Sequence, residues 1–387
     1  MAKGPAYLTC LAALLGLSCV AHGYEIKAVT KPVIMSESPY WDDITNTVIF
    51  VDVIGKLVLR YDPAHPGDLK NISFSNQPGK VTPAVPVRGS DDILVGVGRC
   101  VFLVDVDWGA PGKAAVVRSV RNLKEVEPDL PGNRFNDGKA DSRGRLWIGT
   151  MDDSQTSRRR RRGVNKGELF RFDLKRDIEG RSASSHVDTK TVVEEGLQIP
   201  NGMAWTPDDK TYYLADSATK AVYSFDFDAD QGVVSNKKTA FSFAAHDVPG
   251  APDGMTLDKD GNLWIACVHG GRVIKVDPRS GALLQTIVMN VTNPSAAEWG
   301  GRDRDVLYVT SARYKMDARQ LEREPLAGSM FAITGLGTKG LTNVPYAVNA
   351  VGAASTNNRA GSNSCKLQPV FFWVMAVQFA IASIFSS

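Results

Sequence analysis

Cysteine is scarce in this 387-residue chain, with five in all. Cys10 and Cys19 sit in an N-terminal apolar segment and Cys365 in the C-terminal tail, so only Cys100 and Cys267 belong to the body. Two cysteines cannot build the disulfide framework of a small secreted domain. Both adjoin apolar runs, and the expectation for each is a buried free thiol, with a bridge as the alternative. A charge surplus is also missing: Lys and Arg number 45 against 42 Asp and Glu. That balance excludes the concentrated basic surface of a nucleic-acid-binding protein. Histidine occurs five times, scattered, and there is no HExxH, GxSxG or CxxC. Zinc proteases and serine hydrolases are therefore excluded. Gly335–Gly340 matches GxGxxG by letter, but no helical pattern follows it, so it is no dinucleotide site.

Long hydrophobic runs are missing from the body and confined to the ends. Lys3, the apolar stretch Tyr7–Val20 and then Ala21-His22-Gly23 describe a secretory signal peptide over residues 1–23. At the other end, 352–368 is a small-residue polar spacer and 369–387 a hydrophobic tail without a basic flank. This order matches a glycolipid (GPI) attachment signal, with the attachment residue in Ser355–Asn363. A spanning helix and an ordinary tail are the alternatives. The chain is expected in the secretory pathway, extracellular or at the cell surface, touching membrane only through that anchor. Asn71-Ile72-Ser73 and Asn290-Val291-Thr292 are glycosylation acceptors and fit this route. Removing both ends takes away Lys3, Arg359 and Lys366 and leaves a neutral body.

What fills residues 24–351 is a repeat. Short β-rich runs follow acidic or glycine-containing turns, anchored at Val48, Ile93, Leu146, Tyr212, Leu263 and Leu307. The steps between them run from 44 to 66 residues, and each run is followed by a second strand that usually ends near an Asp. Six copies of this period predict an all-β fold, a six-bladed β-propeller forming one domain. The stretch Glu25–Met35 is expected to pair into the last blade and close the ring, since an open ring leaves bare strand edges.

In a propeller the innermost strands surround a channel, so equivalent polar positions converge. Ser36-Glu37-Ser38-Pro39, Pro200-Asn201-Gly202 and Pro252-Asp253-Gly254 each precede a blade's signature run by a few residues. Glu37, Asn201 and Asp253 make an all-oxygen set of charge −2, suited to calcium, magnesium or manganese and less typical of structural zinc. Tight Asn-Gly and Asp-Gly turns are the other reading. Asn133-Arg134-Phe135-Asn136-Asp137-Gly138 leads into the third copy in the same way. Arg134 there is either a rim charge or a fork for substrate oxygens.

The segments SESPYWDD, NRFNDGKADSRGRLWIGTM, IPNGMAWTPDDKTYYLADS, GAPDGMTLDKDGNLWIACVHGGRVIKVDP and LYVTSAR, with the later FAITGLGTKG, together resemble the family of gluconolactonase, regucalcin and luciferin-regenerating enzyme. The resemblance spans roughly Val33 to Val344. It implies a six-bladed propeller with one divalent cation (Ca, Zn, Mn or Mg) held by Glu37, Asn201 and Asp253. It also implies that Arg134 and Asn136 bind a small-molecule lactone and that Asp253 is the general base of its hydrolysis. Two departures stand out. Ser154 lies where some relatives carry a glutamate, and Arg158–Arg162 is a run of five arginines in a loop that in relatives can cover the channel mouth. A non-catalytic calcium-binding propeller and a luciferin-regenerating type of activity are the alternative functions.

Overall fold

The computed structural model describes residues 23–153, 167–176, 186–347 and 349–350. Six antiparallel sheets follow one another around a ring. Blade 1 contains β2 (Ser36–Asp42), β3 (Thr47–Asp52), β4 (Leu57–Tyr61) and β5 (Lys70–Ser73). Blade 2 contains β6 (Val81–Pro86), β7 (Asp92–Val97), β8 (Cys100–Asp107) and β9 (Val116–Glu125). Blade 3 contains β10 (Asn133–Ala140), β11 (Leu146–Asp152), β12 (Gly167–Arg176) and β13 (His186–Leu197), with β25 (Asn349–Ala350) added in parallel to β12. Blade 4 contains β14 (Pro200–Trp205), β15 (Thr211–Asp216), β16 (Ala221–Asp228) and β17 (Val233–Ser242). Blade 5 contains β18 (Ala251–Leu257), β19 (Leu263–Val268), β20 (Arg272–Asp277) and β21 (Ala282–Val288). Blade 6 contains β22 (Pro294–Gly300), β23 (Val306–Ser311) and β24 (Phe331–Thr334), and its fourth strand comes from the other end of the chain. That strand is β1 (Glu25–Ala28), paired Glu25 to Thr334 through Ala28 to Phe331. The ring is a six-bladed propeller closed by its N-terminal strand, as the repeat predicts. Among the described residues the single α-helix is α1 (Ala318–Arg323), opened by a capping box between Asp317 and Gln320.

The core is divided among six interfaces. Strand side chains alternate faces, and here both faces of a strand are covered by neighbouring blades. In β3, Val48 and Phe50 pack toward blade 6, while Ile49 and Val51 pack toward blade 2. In β11, Leu146 and Ile148 face blade 2 and Trp147 faces blade 4. Leu263 and Ile265 of β19 face blade 4, with Trp264 turned to blade 6. This two-sided burial explains why the signature runs are continuously apolar rather than alternating. It also keeps the apolar mass out of the axis, which is left to polar residues.

The DSRGRLW and DKDGNLW turns that open β11 and β19 are built alike. Asp141, fully buried, accepts from the backbone of Arg143 and Arg145, from Arg145 Nε and from Trp147 Nε1. Asp258 accepts in the same way from Asp260, Asn262 and Trp264 Nε1, with Lys275 Nζ at 3.2 Å. The recurrent acidic turn is thus a carboxylate that caps a tight loop and pins the indole of the following strand. One expectation is corrected: Cys100 is disulfide-bonded, and among the described residues only Cys267 is a free buried thiol. The signal segment, the tail, Ser154 and Arg158–Arg162 lie outside the described residues. Asn71, on the outer strand β5, and Asn290 are both exposed.

Candidate functional site: the channel and its mouth

All six innermost strands break register at the same place. The breaks fall between Glu37 and Tyr40, Val81 and Ala84, Phe135 and Gly138, Pro200 and Met203, Pro252 and Met255, and Pro294 and Ala297. Each break sets two residues against one on the second strand, which is the definition of a β-bulge. The first residue of each bulge is Ser38, Thr82, Asn136, Asn201, Asp253 or Ser295. Six short polar side chains therefore ring the axis. The Pro-Asn-Gly and Pro-Asp-Gly sequences are not turns but bulges within β14 and β18. Their glycines follow from crowding at the axis. A Cβ on Gly202 would lie 2.4 Å from Met255 N, and one on Gly254 would lie 2.2 Å from Ala296 Cβ.

Asn201 and Asp253 hold equivalent positions in this ring, whereas Glu37 lies one residue ahead of its equivalent, Ser38. The loops leading to two of them are fixed by buried carboxylates on the adjoining strands. Asp52 accepts from the amides of Ile34, Met35 and Gly55 at 3.0, 3.1 and 2.9 Å. Asp216 accepts from Gln198, Ile199 and Ala218 at 3.0, 3.1 and 3.1 Å. In blade 5 the corresponding register position opposite Pro252 is Cys267. Ser217 Oγ accepts from Asn201 Nδ2 at 3.0 Å and donates to Pro252 O at 2.7 Å, which anchors the amide nitrogen of Asn201. Pinning the nitrogen leaves the Asn201 carbonyl oxygen as its free metal-type donor.

The fold brings Glu37, Asn201, Asp253, Arg134 and Asn136 together. Glu37 and Asp253 are 8% and 5% exposed. Burial pushes both carboxyls well above the usual carboxylate range; for Glu37 repulsion from Asp253 and then Asp137 adds to it, and for Asp253 repulsion from Asp137 does. Arg134 and the Asn201 amide pull back against that rise. Two buried carboxylates that repel one another beside an amide oxygen form a donor set for a hard divalent cation. The residues fit such an ion. Among the described residues no trio of His, Cys, Asp or Glu lies at metal-binding spacing, so a cation here would need the Asn201 amide oxygen beside the two carboxyls. Arg134 is 7% exposed, and its Nη1 donates to Phe135 O at 2.7 Å and to Asn136 Oδ1 at 3.1 Å. Asn136 Nδ2 donates in turn to Pro200 O at 3.1 Å.

Sequence reasoning missed three participants. Asp137, the second residue of the blade 3 bulge, is a further buried carboxyl pushed upward by burial; Ser38 Oγ donates to it at 2.8 Å. It borders a cavity of about 30 Å³, room for a water or two. The same cavity is lined by the Lys139–Glu298 ion pair, 2.6 Å long. Asp153 and Lys80 sit above, at the mouth: Asp153 Oδ1 is 3.2 Å from Arg134 Nε and 2.7 Å from Lys80 Nζ. Asp137 follows Asn136 directly and could have been singled out with it. The Lys80–Asp153 pair spans 73 residues and carries no local signal.

With this geometry in hand, a sequence profile described as SMP-30/Gluconolactonase/LRE-like region matches residues 35–313. The chain belongs to this family. Regucalcin from Homo sapiens is 35% identical over 318 residues, covering 80% of this chain and 94% of that protein. Regucalcin from Xenopus laevis is 34% identical over 313 residues, covering 81% and 95%. Among solved structures, a luciferin-regenerating enzyme superposes with a TM-score of 0.72 at 31% identity, covering 84% of this chain and all of that one. The SMP-30/gluconolactonase match takes in every blade signature and all of the bulge ring, so the family resemblance and the channel coincide.

Proposed function

We propose that this chain is a divalent-cation-dependent hydrolase that opens a lactone, a sugar lactone or related cyclic ester, by attack of water in the propeller channel. The observation that carries this reading is the convergence of Glu37, Asn201 and Asp253 beneath Arg134, in a chain of the gluconolactonase-like family. Glu37, Asp253 and the Asn201 carbonyl would hold the cation, be it calcium, zinc, manganese or magnesium. When bound, it supplies Lewis-acid polarisation of the lactone carbonyl. Arg134 and Asn136 orient the substrate through its oxygens, with the guanidinium set near the developing oxyanion. Asp253 accepts the proton of the attacking water. The acyl C–O bond of the ring breaks, and the alkoxide so released takes up a proton, giving the open hydroxy acid.

Proton release from glucono-1,5-lactone and a wider lactone panel, after chelation and re-addition of each cation, tests the proposal. Cation-dependent turnover is expected, falling at least about a hundredfold in Asp253→Asn and Glu37→Gln. Full turnover in both variants overturns the site, and no turnover on any lactone overturns the activity. In that last case calcium binding without catalysis is the second reading, favoured by relatives named regucalcin. Turnover of a luciferin-type substrate alone would instead favour the activity of the luciferin-regenerating relative. Export through residues 1–23 and a lipid anchor near Ser355–Asn363 complete the proposal. Release from cells by a phosphatidylinositol-specific phospholipase is expected, and retention would refute the anchor.

A further inference from the structure

Lys80 stands immediately before β6 at the channel mouth. Its Nζ lies 2.7 Å from Asp153 Oδ1, the same oxygen that lies 3.2 Å from Arg134 Nε. On its other side is the ring of Tyr314, with the centroid 5.9 Å away. Residues of blades 2, 3 and 6 thus meet beside Arg134, whose charge acts on Glu37 of blade 1. Two full positive charges share a single carboxylate oxygen, and an aromatic face is a much weaker partner for an ammonium than a second carboxylate would be. Arg134 offsets the charge of Asp153 by proximity, although its Nε makes no hydrogen bond there, and Lys80 supplies the hydrogen bond. Its side chain is 26% exposed and an ammonium has three donors. A partly solvated pair of this kind adds little to stability. What Lys80 adds is a positive rim over a channel whose floor holds the carboxyls of Glu37, Asp137 and Asp253.

We propose that the substrate carries an anionic group, a carboxylate or a phosphate, at the end remote from the reacting carbonyl, and that Lys80 is the specificity-determining residue that reads it. This rests on the lactone hydrolase reading and names its substrate class. The polarity of the channel orients such a molecule: its anion is held outward by Lys80, and its carbonyl points inward to Arg134 and the oxygen ring. Tyr314, 39% exposed, lies beside the ammonium, and Lys315 Nζ stands 5.2 Å from the same ring, adding a second positive charge to this side of the mouth.

The test compares three lactones on the calcium-loaded protein: glucono-1,5-lactone, which is neutral, glucaro-1,4-lactone, which carries a carboxylate, and 6-phosphoglucono-1,5-lactone. At least one anionic lactone should exceed the neutral one in kcat/KM by about tenfold, with the preference shrinking as salt is raised. Which of the two does so distinguishes carboxylate from phosphate. In Lys80→Met and Lys80→Gln, checked for unchanged melting temperature, that ratio should collapse toward one. No anionic preference in the wild type, or a preference that survives both substitutions, overturns the inference. If no lactone is hydrolysed, the hydrolase reading fails by itself. Calorimetric binding of glucarate against gluconate then decides: a Lys80-dependent preference for the dianion sustains the anion site, and equal binding overturns it.

Discussion

Asp216→Ala is the most informative single perturbation of the scaffold beneath the site. Asp216 is fully buried at the end of β15, and its carboxylate takes the amides of Gln198, Ile199 and Ala218. The loop so held runs directly into Asn201. Alanine leaves three N–H groups without an acceptor, at about 1–3 kcal/mol each when buried. Water entering the vacated volume recovers part of this, so the expected loss is about 3–5 kcal/mol. Asp216→Asn keeps one acceptor oxygen but turns a donor toward an N–H, at a cost of about 2 kcal/mol. Asp228 supplies the control. It accepts from the amides of Asp230 and Gln231 in a similar loop, but on an exposed strand end, and its alanine variant should lose less than about 1 kcal/mol. Guanidinium unfolding followed by fluorescence reads each value as a midpoint shift at constant m. Calcium affinity, by titration calorimetry, should fall in Asp216→Asn because the amide loses its fixed lead-in. A loss in Asp216→Ala no larger than in Asp228→Ala would refute the reasoning, and so would unchanged calcium affinity.

Other outcomes follow from the same geometry. Glu37, Asp137 and Asp253 all have carboxyls raised by burial, so the cation-free fold binds more protons than the unfolded chain. Its stability must then fall as pH rises from the ordinary carboxylate range through the raised folded values. Melting in chelator should weaken from pH 5 to pH 8, and a flat profile would contradict this. Calcium at a hundred times its dissociation constant should restore about 2.7 kcal/mol, and Glu37→Gln should abolish that gain in differential scanning calorimetry. Gly254→Ala drives a methyl group to within 2.2 Å of Ala296 Cβ. It should cost at least about 2 kcal/mol and weaken calcium binding, whereas native stability on unfolding would mean that the inner strands tolerate separation. In a eukaryotic secretory host, exposed Asn71 and Asn290 should each add a glycan that endoglycosidase removes; no gel shift in Asn71→Gln and Asn290→Gln relative to wild type would show that neither sequon is used.

The ring was legible because two-sided burial writes apolar runs at a blade-length spacing, and the closing strand because an open ring would leave bare strand edges. Asn201 and Asp253 could be aligned by their Pro-x-Gly frames. Their local conformation could not, since a dipeptide that makes a turn in isolation is drawn into a bulge when a second strand pairs across it. Cys100 was read as a thiol because a lone body cysteine beside an apolar run carries no local sign of a bridge. Lys80 and Asp153 were invisible for a similar reason: their meeting is a property of ring closure, which brings blades 2 and 3 to one rim, and not of either segment.

The six bulges also separate the backbone from the chemistry it carries. One defect, repeated around the axis, aims a side chain inward six times, yet only Asn136, Asn201 and Asp253 have been assigned roles here. Ser38, Thr82 and Ser295 occupy the remaining stations with small hydroxyls. A carboxylate or an imidazole could enter at any of these by one amino-acid substitution, with the strand path already set. The propeller is therefore a socket whose remaining stations are closed by their own hydrogen bonds, and a new cation preference or reaction would have to break one of these but would not need to rebuild a loop.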